Sequence, residues 1–169
     1  MDDLPAARSA ADAAGIRALL AEVYDHGLLH HAYTPYMRDY ELVITASSDP
    51  RLGRPVTYLS YLFVNCVEAR TVSTVGPAVW RRSLDDELVH PDPERTYDAF
   101  VWGVNWQELY PTFDLVDPSD RALRWTADLG IPFHQLQLES NGHEISLVFS
   151  GLRVRDVGVG YTPFVVEAG

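Results

Sequence analysis

Residues 133–149, FHQLQLESNGHEISLVF, place an Asn141-Gly142 pair between two alternating runs of apolar and polar residues. The pair supplies the two positive-φ positions of a type I′ turn, so the segment is expected to fold as a β-hairpin with a two-residue loop. Such a loop sets the register: residue 140 faces 143, Leu138 faces Ile145, Leu136 faces Leu147 and His134 faces Phe149. These side chains share one face, while Gln135, Gln137, Glu144 and Ser146 share the other. A slip of one residue would turn the whole apolar set towards solvent. Turn chemistry and pattern therefore specify the same pairing, and one face of the sheet must be core.

The remaining chain has to cover or extend that face. A chain of 169 residues fits one domain, able to bury roughly two-thirds of its unfolded surface without staples. It has no low-complexity tract and no internal repeat with a period of roughly 20 to 50 residues. Cys66, alone in the apolar run YLFVNCVEA, has no partner for an internal disulfide. It is expected to pack as a small hydrophobe rather than serve as a nucleophile. The N-terminus lacks a basic stretch followed by an apolar one, and nowhere do about 18 apolar residues run together. A soluble cytoplasmic protein without a membrane span is expected. A net charge of −11 and a pI near 4.8 disfavour binding to nucleic acid, which needs Lys and Arg against phosphates. The same charge favours a basic partner, or serves solubility alone.

Taken in order, residues 5–25 predict an amphipathic helix, because Ile16, Leu19, Leu20, Val23 and Tyr24 recur at helical spacing. Ser9 and Asp12 form a plausible capping box, Gly15 weakens the first half, and Gly27 suits the stop. His26, His30 and His31 follow, but Gly27 interrupts the helix that would align them and no carboxylate or Cys stands at ligand spacing. No metal site is assigned to them. YELVITA, from Tyr40, alternates as a strand with Tyr40, Leu42 and Ile44 on one side. After the turn-rich loop SSDPRLGRP, residues 56–69 form the longest strand candidate, apolar on both faces and therefore central or strongly bent.

Pro77 to Leu88 predicts a short helix with Trp80, Leu84 and Leu88 in steps of four. The stretch LDDELVHPDPERTYD then gathers Asp85, Asp86, Glu87, Asp92, Glu94 and Asp98 against a single Arg95, in an exposed loop. It runs into Tyr97, Phe100, Trp102, Trp106, Tyr110 and Phe113, which serve either as core or as a surface facing a partner. In the next helix Asp117 is the expected cap and Pro118 lies in the first turn. Ala122, Trp125, Thr126 and Leu129 line one face, Gly130 ends it and Pro132 blocks continuation. Beyond the hairpin, Leu152 and Val154 are out of phase with Ile145, Leu147 and Phe149, which places a bend at Ser150-Gly151. FVVE is expected as a last edge strand.

Catalytic signatures do not emerge. VGVG lacks the third glycine of a dinucleotide loop, and no phosphate loop, zinc-protease helix or GxSxG elbow occurs. Glu139 and Glu144 approach one another in the hairpin, but His134 points to the other face, so the three do not form one site.

At YDHGLLHHAYTPYMRDYELVI, YLFVNCVEA, VWRRSLDDEL, FVWGVNWQELYP and FHQLQLESNGHEISLVFSGLRV, the chain resembles the bacterial YxiG-like domain family. The likeness spans nearly everything after the first helix. It rests on the order and spacing of aromatic, acidic and turn residues, and it implies no catalytic residues.

The elements add up to an α+β domain over residues 1–169. Its expected form is a mainly antiparallel sheet of about five or six strands with an N-terminal helix at about 5–25 and a second helix packed on one face. The expected function is a non-enzymatic protein-interaction domain, such as an immunity-type neutraliser of a basic toxin. Asp85, Asp86 and Glu87 would steer the basic protein partner, and Trp102 and Trp106 would anchor it. No cofactor, metal ligand or catalytic residue is assigned, and the oligomeric state stays open. The alternative is a small-ligand-binding protein or enzyme with a pocket between the sheet and the aromatic segment 97–113.

Overall fold

The computed structural model describes residues 7–21, 23, 26–46, 56–83, 107–140 and 142–164. In chain order the elements are β1 (Arg8–Ala10), α1 (Ala13–Leu20), β2 (Gly27–Tyr33), β3 (Tyr40–Ala46), β4 (Thr57–Val64), β5 (Glu68–Ser73) and α2 (Pro77–Ser83). They continue with β6 (Gln107–Val116), α3 (Asp120–Leu129), β7 (His134–Ser140), β8 (His143–Phe149) and β9 (Gly151–Val157). Among the described residues no helix is long and apolar enough to cross a membrane.

The anticipated hairpin is present as β7 and β8, with Leu138 opposite Ile145, Leu136 opposite Leu147 and His134 opposite Phe149. Leu136, Leu138, Ile145, Leu147 and Phe149 are buried. On the reverse face Gln135 donates to Ser146 (3.2 Å) and Gln137 to Glu144 (3.0 Å). The Ser140 hydroxyl accepts the His143 N–H at 2.9 Å and steadies the loop; Asn141 lies outside the described residues.

The α+β class holds, with nine strands among the described residues where about five or six were expected. They form two antiparallel sheets, β1-β9-β4-β3-β2 and β6-β7-β8-β5. Part of the surplus is β1, β2 and β6, and part comes from bending. The long strand predicted over 56–69 is broken into β4 and β5, and the predicted bend at Ser150-Gly151 divides β8 from β9. These two bent segments run side by side, β4 with β9 and β5 with β8, so each switches from one sheet to the other at a common corner. At the far end β2 meets β6 through Gly27 opposite Glu108 and Leu28 opposite Gln107, and the ladder closes around the interior.

Polar contacts hold the corner. Asn65 adopts φ 50, its backbone N–H donates to Asp39 Oδ1 (2.8 Å) and its side-chain amide to Ser150 Oγ (2.8 Å). The backbone N–H groups of Cys66 and Ser150 donate to the carbonyls of Arg38 and Val64, at 2.8 and 2.9 Å. A non-glycine residue in the left-handed region costs about 1–2 kcal/mol, which these bonds offset. Inside, Tyr61 meets Phe113 edge-on with centroids 6.0 Å apart, and Phe63 meets Phe149 at 4.8 Å.

Three boundaries differ from expectation. First, among the described residues the N-terminal helix is α1 alone, where a helix over residues 5–25 was expected. Residues 8–10 are extended and pair with Val154, Arg153 and Leu152, so a tertiary ladder overrides the helical propensity of that stretch. Asp12, not Ser9, is the cap, its Oδ1 accepting the Gly15 N–H at 2.9 Å. That bond leads the contacts that lower its pKa. A Cβ on Gly15 would lie 2.9 Å from the Ala10 Cβ, so the glycine permits the sharp passage from β1 into α1. Second, β2 and β6 occupy segments in which no strand was expected. β2 carries a bulge between Leu28 and His30, and the β6 pairing shifts between Tyr110 and Asp114, around Pro111; both features obscure a period of two. Third, α3 is capped by Ser119, whose hydroxyl accepts the Ala122 N–H (3.1 Å), two residues after the expected Asp117. Its stop is as expected: Gly130 has φ 71 and donates to the Thr126 carbonyl.

The helices lie on different sides of the hairpin. Ile16 and Leu20 of α1 join the main core, whereas Ala122 of α3 packs with Phe133 and Val148 in a separate cluster flanked by Trp125 and Val67. Val148 alternates with Leu147 and Phe149, so it must face away from them. Trp125 Nε1 donates to Glu68 Oε1 (2.8 Å) and fastens α3 to β5. Leu129, expected on the buried face, is 53% exposed. α2 begins at Pro77 as expected, and Leu84 and Leu88 lie outside the described residues. No strand is formed over the described residues 158–164, and the rest of FVVE lies beyond them.

Candidate functional site

The sequence-predicted partner residues Asp85, Asp86, Glu87, Trp102 and Trp106 all lie outside the described residues. So do the loop 47–55 and most of the segment 97–113 on which a pocket was expected. From that segment Leu109 and Phe113 are described, and both are core.

A cleft of about 240 Å³ lies between α1, the end of β6 and the start of α3. Leu115, Ala122 and Phe133 give it an apolar floor, while Arg17, Asp117, Ser119 and His134 supply polar groups around it. The helical path of α1 buries Ile16 and Leu20 and turns the next position, Arg17, outward. Its guanidinium meets Asp114 Oδ1 at 3.2 Å and Asp117 Oδ2 at 3.6 Å. Both carboxylates are more than 70% exposed, so these pairs add little to stability and leave negative charge available to solvent. The Ser119 hydroxyl donates to Gln135 Oε1 (2.6 Å) while capping α3, which makes it a structural group and not an activated nucleophile. His134 Nε2 lies 2.9 Å from the Ala11 carbonyl. The arrangement offers charge recognition over an apolar floor.

Other reactive groups are committed elsewhere. Cys66 donates its thiol hydrogen to the Glu68 carbonyl (3.2 Å), and burial pushes its pKa up to about 11, so it stays protonated at neutral pH. His31 Nδ1 pairs with the Tyr40 hydroxyl at 2.6 Å. Burial first, then the charges of His143 and His30, holds its pKa below the usual range. Among the described residues no group of three or more His, Cys, Asp or Glu side chains is placed to hold a metal ion. On the outer side of the first sheet, Glu41 is buried and accepts hydrogen bonds from Ser60 and from Tyr161 (2.7 Å), with Arg155 at 3.7 Å. Arg155 also donates to the Tyr161 hydroxyl (2.7 Å), so this cluster straps the C-terminal segment to β3, β4 and β9.

Local sequence marks Asp117 as a cap and gives no signal for Arg17 or Asp114. Arg17 and Asp114 are 97 residues apart, and no local spacing announces their meeting.

Comparison with the curated proteins and with the solved structures found no match. A family profile, that of the YxiG-like protein, matches residues 12–167. This range holds β2, β3, α2, the bent strands and the hairpin, which carry the quoted resemblance, and the chain belongs to the YxiG-like protein family.

Proposed function

We propose that the chain is a non-enzymatic, cytoplasmic protein-interaction domain that binds a basic protein, in the manner of an immunity-type neutraliser of a basic toxin. The observation that carries this reading is the setting of Trp80. The ring is 44% exposed, and its indole N–H is fixed by Ser73 Oγ at 2.9 Å. It stands on α2 just ahead of Asp85, Asp86, Glu87, Asp92, Glu94 and Asp98. A rigid, partly exposed aromatic ring buries much area at small entropic cost, and carboxylates following it attract a basic surface from a distance. Trp102 and Trp106 would add anchors.

Affinity capture from the native host identifies the partner, and association kinetics then test the chemistry. The D85N/D86N/E87Q variant should associate several-fold more slowly at low salt and dissociate at nearly the same rate, because long-range attraction acts on encounter. Trp80→Ala should instead speed dissociation, by about 2 kcal/mol in equilibrium terms. An association rate independent of both the triple substitution and ionic strength would remove the electrostatic basis of the reading.

A further inference from the structure

We propose that the cleft between α1 and α3 is a subsite for one cationic side chain with a long apolar stem, a lysine or arginine, presented by the basic partner. The inference rests on the interaction reading for the identity of its occupant, and its geometry on residues of α1, the end of β6 and the start of α3.

Size is the first reason. Pockets for drug-sized molecules run to roughly 300–1,000 Å³, whereas this cleft encloses about 240 Å³. It suits one long side chain better than a cofactor. The second reason is the division of its surface. Leu115, Ala122 and Phe133 form an apolar floor, and Leu123, 59% exposed, adds an apolar rim. Such a surface accepts methylenes while a charged head stays at the polar edge.

Charge is the third reason. Asp114 and Asp117 share the single guanidinium of Arg17. Among the described residues, two carboxylates thus stand against one guanidinium, with His134 lining the same cleft. Arg17 already shows the mode of binding, since an arginine head satisfies both Asp114 and Asp117. A second cation would share or replace it.

The full chain, isotopically labelled, is titrated with N-acetyl-arginine methylamide and followed by backbone amide shifts. Saturable movement is expected at Ala13, Arg17, Ala122 and Leu123. N-acetyl-norleucine methylamide, with a similar stem and no charge, should bind about tenfold more weakly, the loss of one charge-assisted contact. D114N/D117N should weaken the arginine probe several-fold. Arg17→Gln removes the internal competitor and should strengthen it, a change of opposite sign that misfolding would not produce. Absence of saturable shifts, equal binding of the two probes, or an Arg17→Gln variant that binds the arginine probe no better would each overturn the subsite. If these fail while the substitutions at 85–87 still slow partner association, the interaction reading stands without this subsite. If the probe binds as expected but no partner is captured, the subsite stands and the interaction reading falls.

Discussion

Replacing Asp39 by Asn tests the account of the corner that closes the two sheets. Asp39 is 2% exposed and accepts the Asn65 backbone N–H at 2.8 Å and two guanidinium hydrogens of Arg38 at 3.1 and 3.2 Å. The Arg38 side chain is 63% exposed, so its ion pair is screened and contributes little. The bond to Asn65 is partly buried and charge-assisted, and hydrogen bonds to charged groups contribute about 1.5–3 kcal/mol. Asn at position 39 keeps one acceptor oxygen but loses the charge and brings an amide donor among donors. A loss of about 2 kcal/mol at neutral pH is expected. Acid dependence gives an independent check. Burial raises the Asp39 pKa, but the hydrogen bonds from Arg38 and Asn65, with the charges of Arg38 and Arg153, outweigh it and hold the carboxyl below its ordinary value of 3.8. A depressed folded-state pKa means that the unfolded chain binds more protons between the two values. The stabilisation is therefore complete above the ordinary value and is lost as pH falls through the folded one. Urea unfolding of both proteins from pH 7 to pH 2 should show a difference in midpoint that is large at neutral pH and shrinks below the ordinary carboxyl range. Equal midpoints at pH 7, or a difference that does not vary with pH, would refute the reasoning.

Gly15→Ala should destabilise the protein by about 1 kcal/mol: overpacking against Ala10 costs about 1–3 kcal/mol and exceeds the gain of up to about 1 kcal/mol from helix propensity. A raised thermal midpoint would show that β1 moves aside freely. Tyr161→Phe removes the hydroxyl shared by Glu41 and Arg155 and should cost about 1–2 kcal/mol, with faster amide exchange confined at first to the segment after β9. Uniform exchange with the rest of the chain would show that the strap has no separate role. Val148→Ala should cost about 1–3 kcal/mol and loosen α3 without disturbing α1, because Val148 packs in the cluster of Ala122 and Phe133 and not in the main core. Hydrogen exchange of both helices decides it.

Local chemistry made part of this fold legible in the sequence. Asn141-Gly142 and the alternation around it determined the β7–β8 register, Gly130 determined the end of α3, and the phase change after Phe149 located the bend at Ser150-Gly151. Each depends on residues within a few positions of one another, where steric preference and side-chain period act directly. The family, too, was legible, because order and spacing of residues carry it. The tertiary structure decided the rest. Residues 8–10 are strand and not helix because the edge of β9 offers them backbone partners. Val148 gives α3 a seat on the reverse of the hairpin, a choice that the helix's own pattern leaves open. Arg17 meets Asp114 across 97 residues and Tyr161 reaches Glu41 across 120, contacts that exist only once the ladder has closed. Local sequence specifies turns and periods, whereas the cleft and the strap depend on which distant segments the closed sheet brings together.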